Sequence, residues 1–523
     1  MPGKCRTVIS GAKRIHELSQ NDPTLADDVS TLHRMGYAQE LSRNMGKFSN
    51  FAISFSIICI LSGGINSLAQ GTSGAGGGAL GIGWLVGGAV ALLFAFGMAQ
   101  ISSAFPTAGG LYHWSSILGG RFWGWLTAWM NLLGLITVLA AINVGTYAFM
   151  IGAFGSTLGI TDTFSNKLIF MVVVTGLHAM INHIGIKATT RLTDFSGYLI
   201  LIGTSGLIVV LLVFAPSHDF SRLWTFTNYA GDAGGGVWPT TSSLGMLFLL
   251  GLLLPIYTLT GYDASAHTSE ETIDAARSVP KGIIHSVFWA VLFAWLFSCA
   301  FVLAIPDMAQ AAKQGWNVFF WTLDQIMPAG FKVTIYIVIF VAQFICGLAT
   351  VTSISRMIFA FARDNGLPCS AVLKQVSPKW RTPVAAIWTG SALAVCFVAY
   401  ADAYSVVVSV TSIALYLSYA MPIAAGFYAY GRTWTEMGPW NMGPSFRIVA
   451  ILCVMASLAI FYIGVQPPNE LALKVLGWIA LITAAAWFGF ERRRFKGPPT
   501  GAEIAHRQAE IAAAEIAVGQ ASA

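Results

Sequence analysis

One acidic side chain and two groups of helix-breaking residues stand out in a chain otherwise poor in chemistry-bearing groups. Asp263 lies in the apolar run LLLPIYTLTGYDASAHTSEET, close behind Pro255 and Gly261. Far upstream, SFSIICILSGGINSLAQG sets Ser62, Gly63, Gly64 and Asn66 in the middle of another apolar run. Glycine costs a helix about 1 kcal/mol per residue relative to alanine, and proline removes a backbone donor. Both runs therefore predict interrupted helices. An interruption frees N–H groups at the start of the second half-helix, where the positive dipole end favours a carboxylate. Carbonyls freed at the end of the first half can accept hydrogen bonds from an ammonium. Two such breaks would hold a zwitterion without any charged side chain.

Composition says what must carry these breaks. The 523 residues are 55% hydrophobic and only 10% charged, with mean hydropathy +0.67. Soluble domains carry about 25% charged residues, so this apolar surface must face lipid. About twenty apolar residues cross a bilayer core as a helix. Runs of that kind fall at 48–70, 79–104, 122–154, 166–186, 192–215, 244–267, 282–305, 333–362, 384–401, 403–430, 446–465 and 471–490. They are long and do not alternate, which disfavours a barrel. The expected fold class is all-α integral membrane with twelve transmembrane helices.

Charge sets the expected orientation. Of the 29 Lys and Arg, Lys167, Arg222, Lys313, Lys332 and Lys474 fall on one side, and the other 24 share the side of the N-terminus. Lys4, Arg6, Lys13 and Arg14 belong to that majority. The excess marks the cytoplasmic side and an even number of spans. The net charge of +6 is spread over short loops, so nucleic acid is not an expected partner; lipid is. Most of the seven cysteines lie inside apolar runs, without zinc spacing, and read as packing residues. The first ~45 residues lack the apolar core of a cleavable signal, which leaves insertion to the first span.

The breaks lie five spans apart, in the first and sixth. Either alone reads as close helix packing. Interruptions at equivalent places in two halves point instead to a midplane binding site.

At these residues the sequence resembles the amino acid–polyamine–organocation superfamily of permeases, and within it the amino acid/choline transporter family. The pieces are SGGI (62–65), FPTAGGLYHW (105–114), TGYDASAHTSEET (260–272) and SRMIFAFARDNGLP (355–368), and the likeness covers about residues 35–490. It implies the leucine-transporter fold, a 5+5 inverted repeat plus two C-terminal helices, working by alternating access. Repeat one would span about 48–215, repeat two about 244–430 and the extra helices about 446–490. Residues 1–47 and 491–523 would be cytoplasmic, in a bacterial inner membrane or a plasma membrane.

The resemblance also implies a substrate site. Amides near Gly63, Gly64 and Ile65 would hold a carboxylate, and carbonyls near Ile60, Tyr257 and Thr260 would receive an amine. Ser62, Gly261 and Asp263 belong to the same breaks. Tyr257 or Tyr262 would wall the substrate, and Asn131, Gln343 and Phe344 would shape its side-chain pocket. The fifth span, RLTDFSGYLILIGTSGLIVV, lacks the lysine that replaces sodium in several members. Three energy sources stay open. Sodium would use Thr352 and Ser353 with first-helix carbonyls. Protons would use Asp263, and exchange would use neither. No other cofactor and no metal are expected.

Other patterns carry less. His178 and His183 are five apart, about 140° around a helix, so they do not share a metal-binding face. GTSGAGGGALGIG (71–83) lacks the Lys-Ser/Thr ending of a phosphate loop and reads as a flexible external connection. His267, Glu270 and Glu271 suit either an inner gate with Arg356 or Arg363 or an ordinary interfacial cluster. The Ala/Glu-rich tail beyond Thr500 reads as a solvated helix. The expected substrate is an amino acid or related zwitterion such as 4-aminobutyrate, with choline or a polyamine as rivals. A membrane enzyme would need paired carboxylates or metal ligands at membrane depth, and Asp263 stands alone there. A channel would need ring-forming repeats. Nothing in the sequence indicates an oligomeric state.

Overall fold

A computed structural model describes residues 23–400, 404–499 and 502–518. Lys4, Arg6, Lys13 and Arg14 lie outside the described residues. Among the described residues, ten helices are long and apolar enough to cross a membrane. They are α1 (Lys47–Gly64, interrupted), α2 (Gly77–Ala104), α3 (Arg121–Leu158), α4 (Phe164–His183), α5 (Ile186–Phe214), α7 (Ala275–Ala304), α8 (Ala329–Arg363), α10 (Tyr404–Ala429), α11 (Ser445–Gly464) and α12 (Glu470–Arg494). Two shorter apolar helices complete the order, α6 (Leu244–Thr258) and α9 (Val384–Tyr400). The chain is a multi-pass membrane protein.

The helices divide into an inner and an outer set. α1, α3 and α10 are mostly buried, whereas α4, α5, α11 and α12 turn most of their apolar length outward. Ile202, Val213, Trp478 and Phe488 are largely exposed. Such surface is stable only against lipid.

Glycine permits the closest helix contacts. A Cβ at Gly88 of α2 would come 2.5 Å from Val291 of α7, and one at Gly134 of α3 would come 2.5 Å from Leu415 of α10. Small residues at such crossings gain packing without any drive from water.

Several boundaries differ from the sequence reading. α7 begins at Ala275 rather than 282, and α5 at Ile186 rather than 192. Lys187 and Arg191 thus sit in the first turns of α5, where long cationic stems can reach the headgroups. The glycine-rich stretch 71–83 is not a flexible external connection. It is buried, with a short helix Leu68–Thr72 and the start of α2 at Gly77. Side chains at Gly77 and Gly81 would collide with the carbonyls of Arg222 and Leu223. The glycines are there for backbone contact. The tail is not wholly solvated either. In the helix Gln508–Ala517, Ile511 and Glu515 share a buried face. Glu515 accepts the Gln39 N–H (2.9 Å) and meets His33 Nε2 (2.7 Å). The described segments near the two ends of the chain therefore lie together.

Overpacking a close crossing should cost about 1–3 kcal/mol. Gly134→Val is expected to lower the thermal unfolding midpoint in detergent. Gly206→Val, where an added Cβ meets nothing within 4 Å, should leave it within about 0.5 kcal/mol of the parent.

Candidate functional site

The first break is a change of helix type. α1 is regular from Lys47 to Ile58; Cys59 departs from it (φ 19°, ψ 91°), and Ile60–Gly64 follow as a wide π-turn. The departure thus lies at Cys59, ahead of the glycines, which sit inside the wide turn. The Cys59 carbonyl accepts the N–H groups of Ser62 (2.8 Å) and Gly63 (3.2 Å). The Ile65 N–H turns back to the Ser62 carbonyl. Backbone groups at membrane depth need partners, and α8 supplies two. Gln343 Nε2 donates to the Leu61 carbonyl (2.9 Å), and Cys346 Sγ to that of Ile57 (3.2 Å).

The second break is an unwinding. α6 stops at Thr258, and a short helix resumes at Ala264–His267. Between them Gly261 adopts φ +85°, a region closed to most side chains. α10 satisfies this segment: Tyr416 donates to the Leu259 carbonyl (2.9 Å), and Tyr419 accepts the Gly261 N–H (3.0 Å). Ser54 of α1 donates to the Tyr262 carbonyl (2.8 Å), and Thr260 closes onto that of Tyr257 (2.8 Å). The breaks touch. A Cβ at Gly63 would meet the Thr258 Cα at 3.1 Å, and one at Gly261 would collide with Ile57.

Asp263 lies fully buried where the second break resumes its helix. Asn131 of α3 donates to its Oδ2 (2.9 Å) and Tyr419 to its Oδ1 (2.9 Å). His267 Nε2, one turn on, stands 3.2 Å from Oδ2. The Tyr262 ring packs on Tyr419 at 5.0 Å, and Tyr257 meets Tyr404 at 6.3 Å. Around the breaks the Tyr262 hydroxyl, Asn131 Oδ1 and Gln343 Oε1 are buried without a partner. Each such atom costs about 1–3 kcal/mol, which a polar ligand would relieve.

Not every candidate converges here. Phe344 rests on His178 of α4 (4.6 Å). Thr352 donates to Asn182 of α4 (2.7 Å), and Ser353 Oγ is buried and unpartnered. Among the described residues no group of His, Cys, Asp and Glu could hold a metal. The tyrosines of α10 escaped sequence reading because nothing local marks them. The Asp263–His267 pair did carry a signal, its i, i+4 spacing.

On the side of the termini the alternatives for Glu270 and Glu271 resolve into ion pairs. Arg356 holds Glu271 with two bonds (2.9 and 2.8 Å), both side chains fully buried. Arg363 holds Glu270 likewise (3.1 and 2.8 Å), and the Ala108 N–H adds a third bond (3.1 Å). Tyr37 and Tyr112 both donate to Asp364 (2.7 and 2.8 Å), whose carboxyl burial pushes above its usual range. Removing one partner of such a buried pair typically costs about 3–5 kcal/mol, because the other charge is left uncompensated.

Residues 45–487 match the amino acid permease family. The amino-acid permease BAT1 of Arabidopsis thaliana is 31% identical over 511 residues, covering 91% of this chain and 97% of that protein. A BAT1 homolog of rice is 30% identical over 501 residues, 90% of this chain and 95% of that one. The GABA-specific permease of Saccharomyces cerevisiae is 30% identical over 460 residues, 82% and 78% of the two chains.

Tyr419→Phe removes both the donor to Asp263 and the acceptor of the Gly261 N–H. It is expected to fold but to lose about 1–3 kcal/mol, read as a lower unfolding midpoint in detergent. Gly64→Ala, whose methyl would meet only Ile60 at 3.5 Å and Trp84 at 4.0 Å, should be nearly neutral in the same assay.

Proposed function

This chain belongs to the amino acid permease family, and from that premise we propose that it is a secondary carrier of small amino acids. 4-Aminobutyrate is the first candidate substrate, and alternating access is the mechanism. The observation that carries the reading is the contact between the two helix breaks, with unpaired polar atoms around it. The substrate carboxylate would take the amides at Gly63, Gly64 and Ile65, displacing the Cys59 and Ser62 carbonyls they now meet. The ammonium would use second lone pairs on the carbonyls near Ile60, Tyr257 and Thr260.

The twelve helices would form twelve spans arranged as a 5+5 repeat. Many packing pairs support this, because they persist when each helix is exchanged for the one five places on. α2 packs on α7, α3 on α8 and α4 on α9. α1 meets α5 as α6 meets α10; α1 meets α7 as α6 meets α2; α3 meets α10 as α8 meets α5. The bias of basic residues supports cytoplasmic termini, in a bacterial inner membrane or a plasma membrane.

A second reading, choline or a polyamine as cargo, is favoured by two groups of tyrosines near the breaks, Tyr257 with Tyr404 and Tyr262 with Tyr416 and Tyr419. Tyrosine faces attract a desolvated cation.

The full chain in liposomes is expected to show saturable uptake or exchange of an amino acid from a labelled panel that includes 4-aminobutyrate, choline and putrescine. Absence of saturable transport for every compound would sink the carrier reading; transport of choline or putrescine alone would favour the second. Gly64→Leu should abolish substrate binding in a chain that still purifies as a folded species. Retained affinity would remove the first break as the carboxylate cradle.

A further inference from the structure

We propose that Asp263 and His267 together hold one exchangeable proton. The backbone of Ala108 ties its release to the opening of the ion-paired side. This rests on the carrier reading above and supplies its energy source.

The hydrogen bonds count the proton. His267 Nδ1 lies 3.2 Å from the Ala108 carbonyl. A carbonyl oxygen only accepts, so Nδ1 carries a hydrogen. His267 Nε2 faces Asp263 Oδ2 at 3.2 Å. Either Nε2 also carries a hydrogen and donates to a carboxylate, or it is bare and receives one from a carboxylic acid. Both arrangements hold one proton more than a carboxylate beside a neutral imidazole, and both have zero net charge. Both side chains are fully buried, and an unbalanced charge at that depth is expensive.

The neighbours decide where the proton rests. Asn131 from α3 and Tyr419 from α10 already donate to Asp263. Tyr419 accepts the Gly261 N–H, so its own hydrogen is directed at the carboxylate. Both carboxylate oxygens thus already receive a hydrogen, which leaves the pair's own proton between Nε2 and Oδ2. Of the other titratable groups nearby, the Tyr262 ring lies on Tyr419 with its hydroxyl unpartnered, and His113 Nδ1 pairs with Thr107. Glu270 is held by Arg363.

The same residue faces both sites, through the two peptide groups that flank its Cα. The Ala108 carbonyl takes His267, and the Ala108 N–H gives to Glu270 Oε1. Parting the Glu270–Arg363 pair therefore disturbs the residue whose carbonyl keeps Nδ1 protonated. Once that acceptor moves off, Nδ1 can give up its hydrogen to water while Nε2–H still donates to Asp263. One proton leaves to the side of the termini, and one returns from the opposite side when the carrier faces it.

The test uses the full chain in liposomes with labelled 4-aminobutyrate, or whichever panel compound the wild type exchanges. With one proton per substrate, a one-unit pH gradient supports at most about tenfold accumulation. Wild type should approach that limit. His267→Gln should still exchange substrate at equal pH but accumulate none, and substrate-linked proton flux read by an internal pH dye should vanish. Asp263→Asn should lose gradient dependence as well, which checks the other half of the pair if the histidine variant folds poorly. Amide exchange in residues 105–110, corrected for intrinsic rates, should rise with pH in wild type and stay flat in His267→Gln. Exchange without any response to the gradient in wild type, gradient-driven accumulation by His267→Gln, or an unchanged pH response of the loop would each overturn the proposal. Failure of wild type to exchange any panel compound would instead overturn the carrier reading.

Discussion

A backbone polar group at membrane depth must find a partner inside the protein, and two broken helices make that demand acute. Helices α1 and α6 give up their own bonds at Cys59 and at Leu259–Asp263. The surrounding elements are arranged to repair the loss. α8 sends Gln343 and Cys346 to α1, α10 sends Tyr416 and Tyr419 to α6, and Ser54 of α1 reaches the Tyr262 carbonyl. The buried faces of α1 and α10 follow from this, since the face of a helix that completes a neighbour's backbone cannot also face lipid.

Charge obeys the same rule. The buried carboxylates Glu270 and Glu271 each meet an arginine with two bonds, and Asp263 meets a histidine. Each combination is neutral overall. These pairs lie in chain order from the midplane break to the side of the termini, within the single segment 263–271. A movement of that segment relative to α8 would break the ion pairs in the same step that uncovers the break, so the proposed binding site and the ion-paired side would move as one unit. The N-terminal segment and the tail extend the same side, with Tyr37 on Asp364 and Gln39 under Glu515.

Much of this was legible in the residues, and the reason lies in how far each signal travels along the chain. Long apolar runs report spans directly, because lipid imposes length. Glycine and proline report a break, because their effect is local. The departure at Cys59 was not legible, since a cysteine carries no preference for it, and the Thr258 that packs on the nearby Gly63 is far away in sequence. Gly77 and Gly81 looked like loop residues, because a sequence shows a missing side chain but not the Arg222 and Leu223 carbonyls that fill its place. Tyr416 and Tyr419 act more than 150 residues from their partners, a distance at which composition and periodicity are silent.

Neutrality at each station also bears on which cargo the site can accept. A zwitterion adds no net charge to the region between the breaks, so it can replace internal hydrogen bonds without leaving an unbalanced charge in a low-dielectric interior. A cation such as choline adds one, and among the described residues the countercharge at the second break is Asp263, already taken by His267, Asn131 and Tyr419. To serve a cation, His267 would have to lose its proton and leave Asp263 free to balance the cargo. Cation and proton would then compete for one carboxylate and move in opposite directions, whereas a zwitterion leaves the pair protonated and can travel with its proton. The tyrosines alone therefore do not choose the cargo; the protonation of the Asp263–His267 pair does.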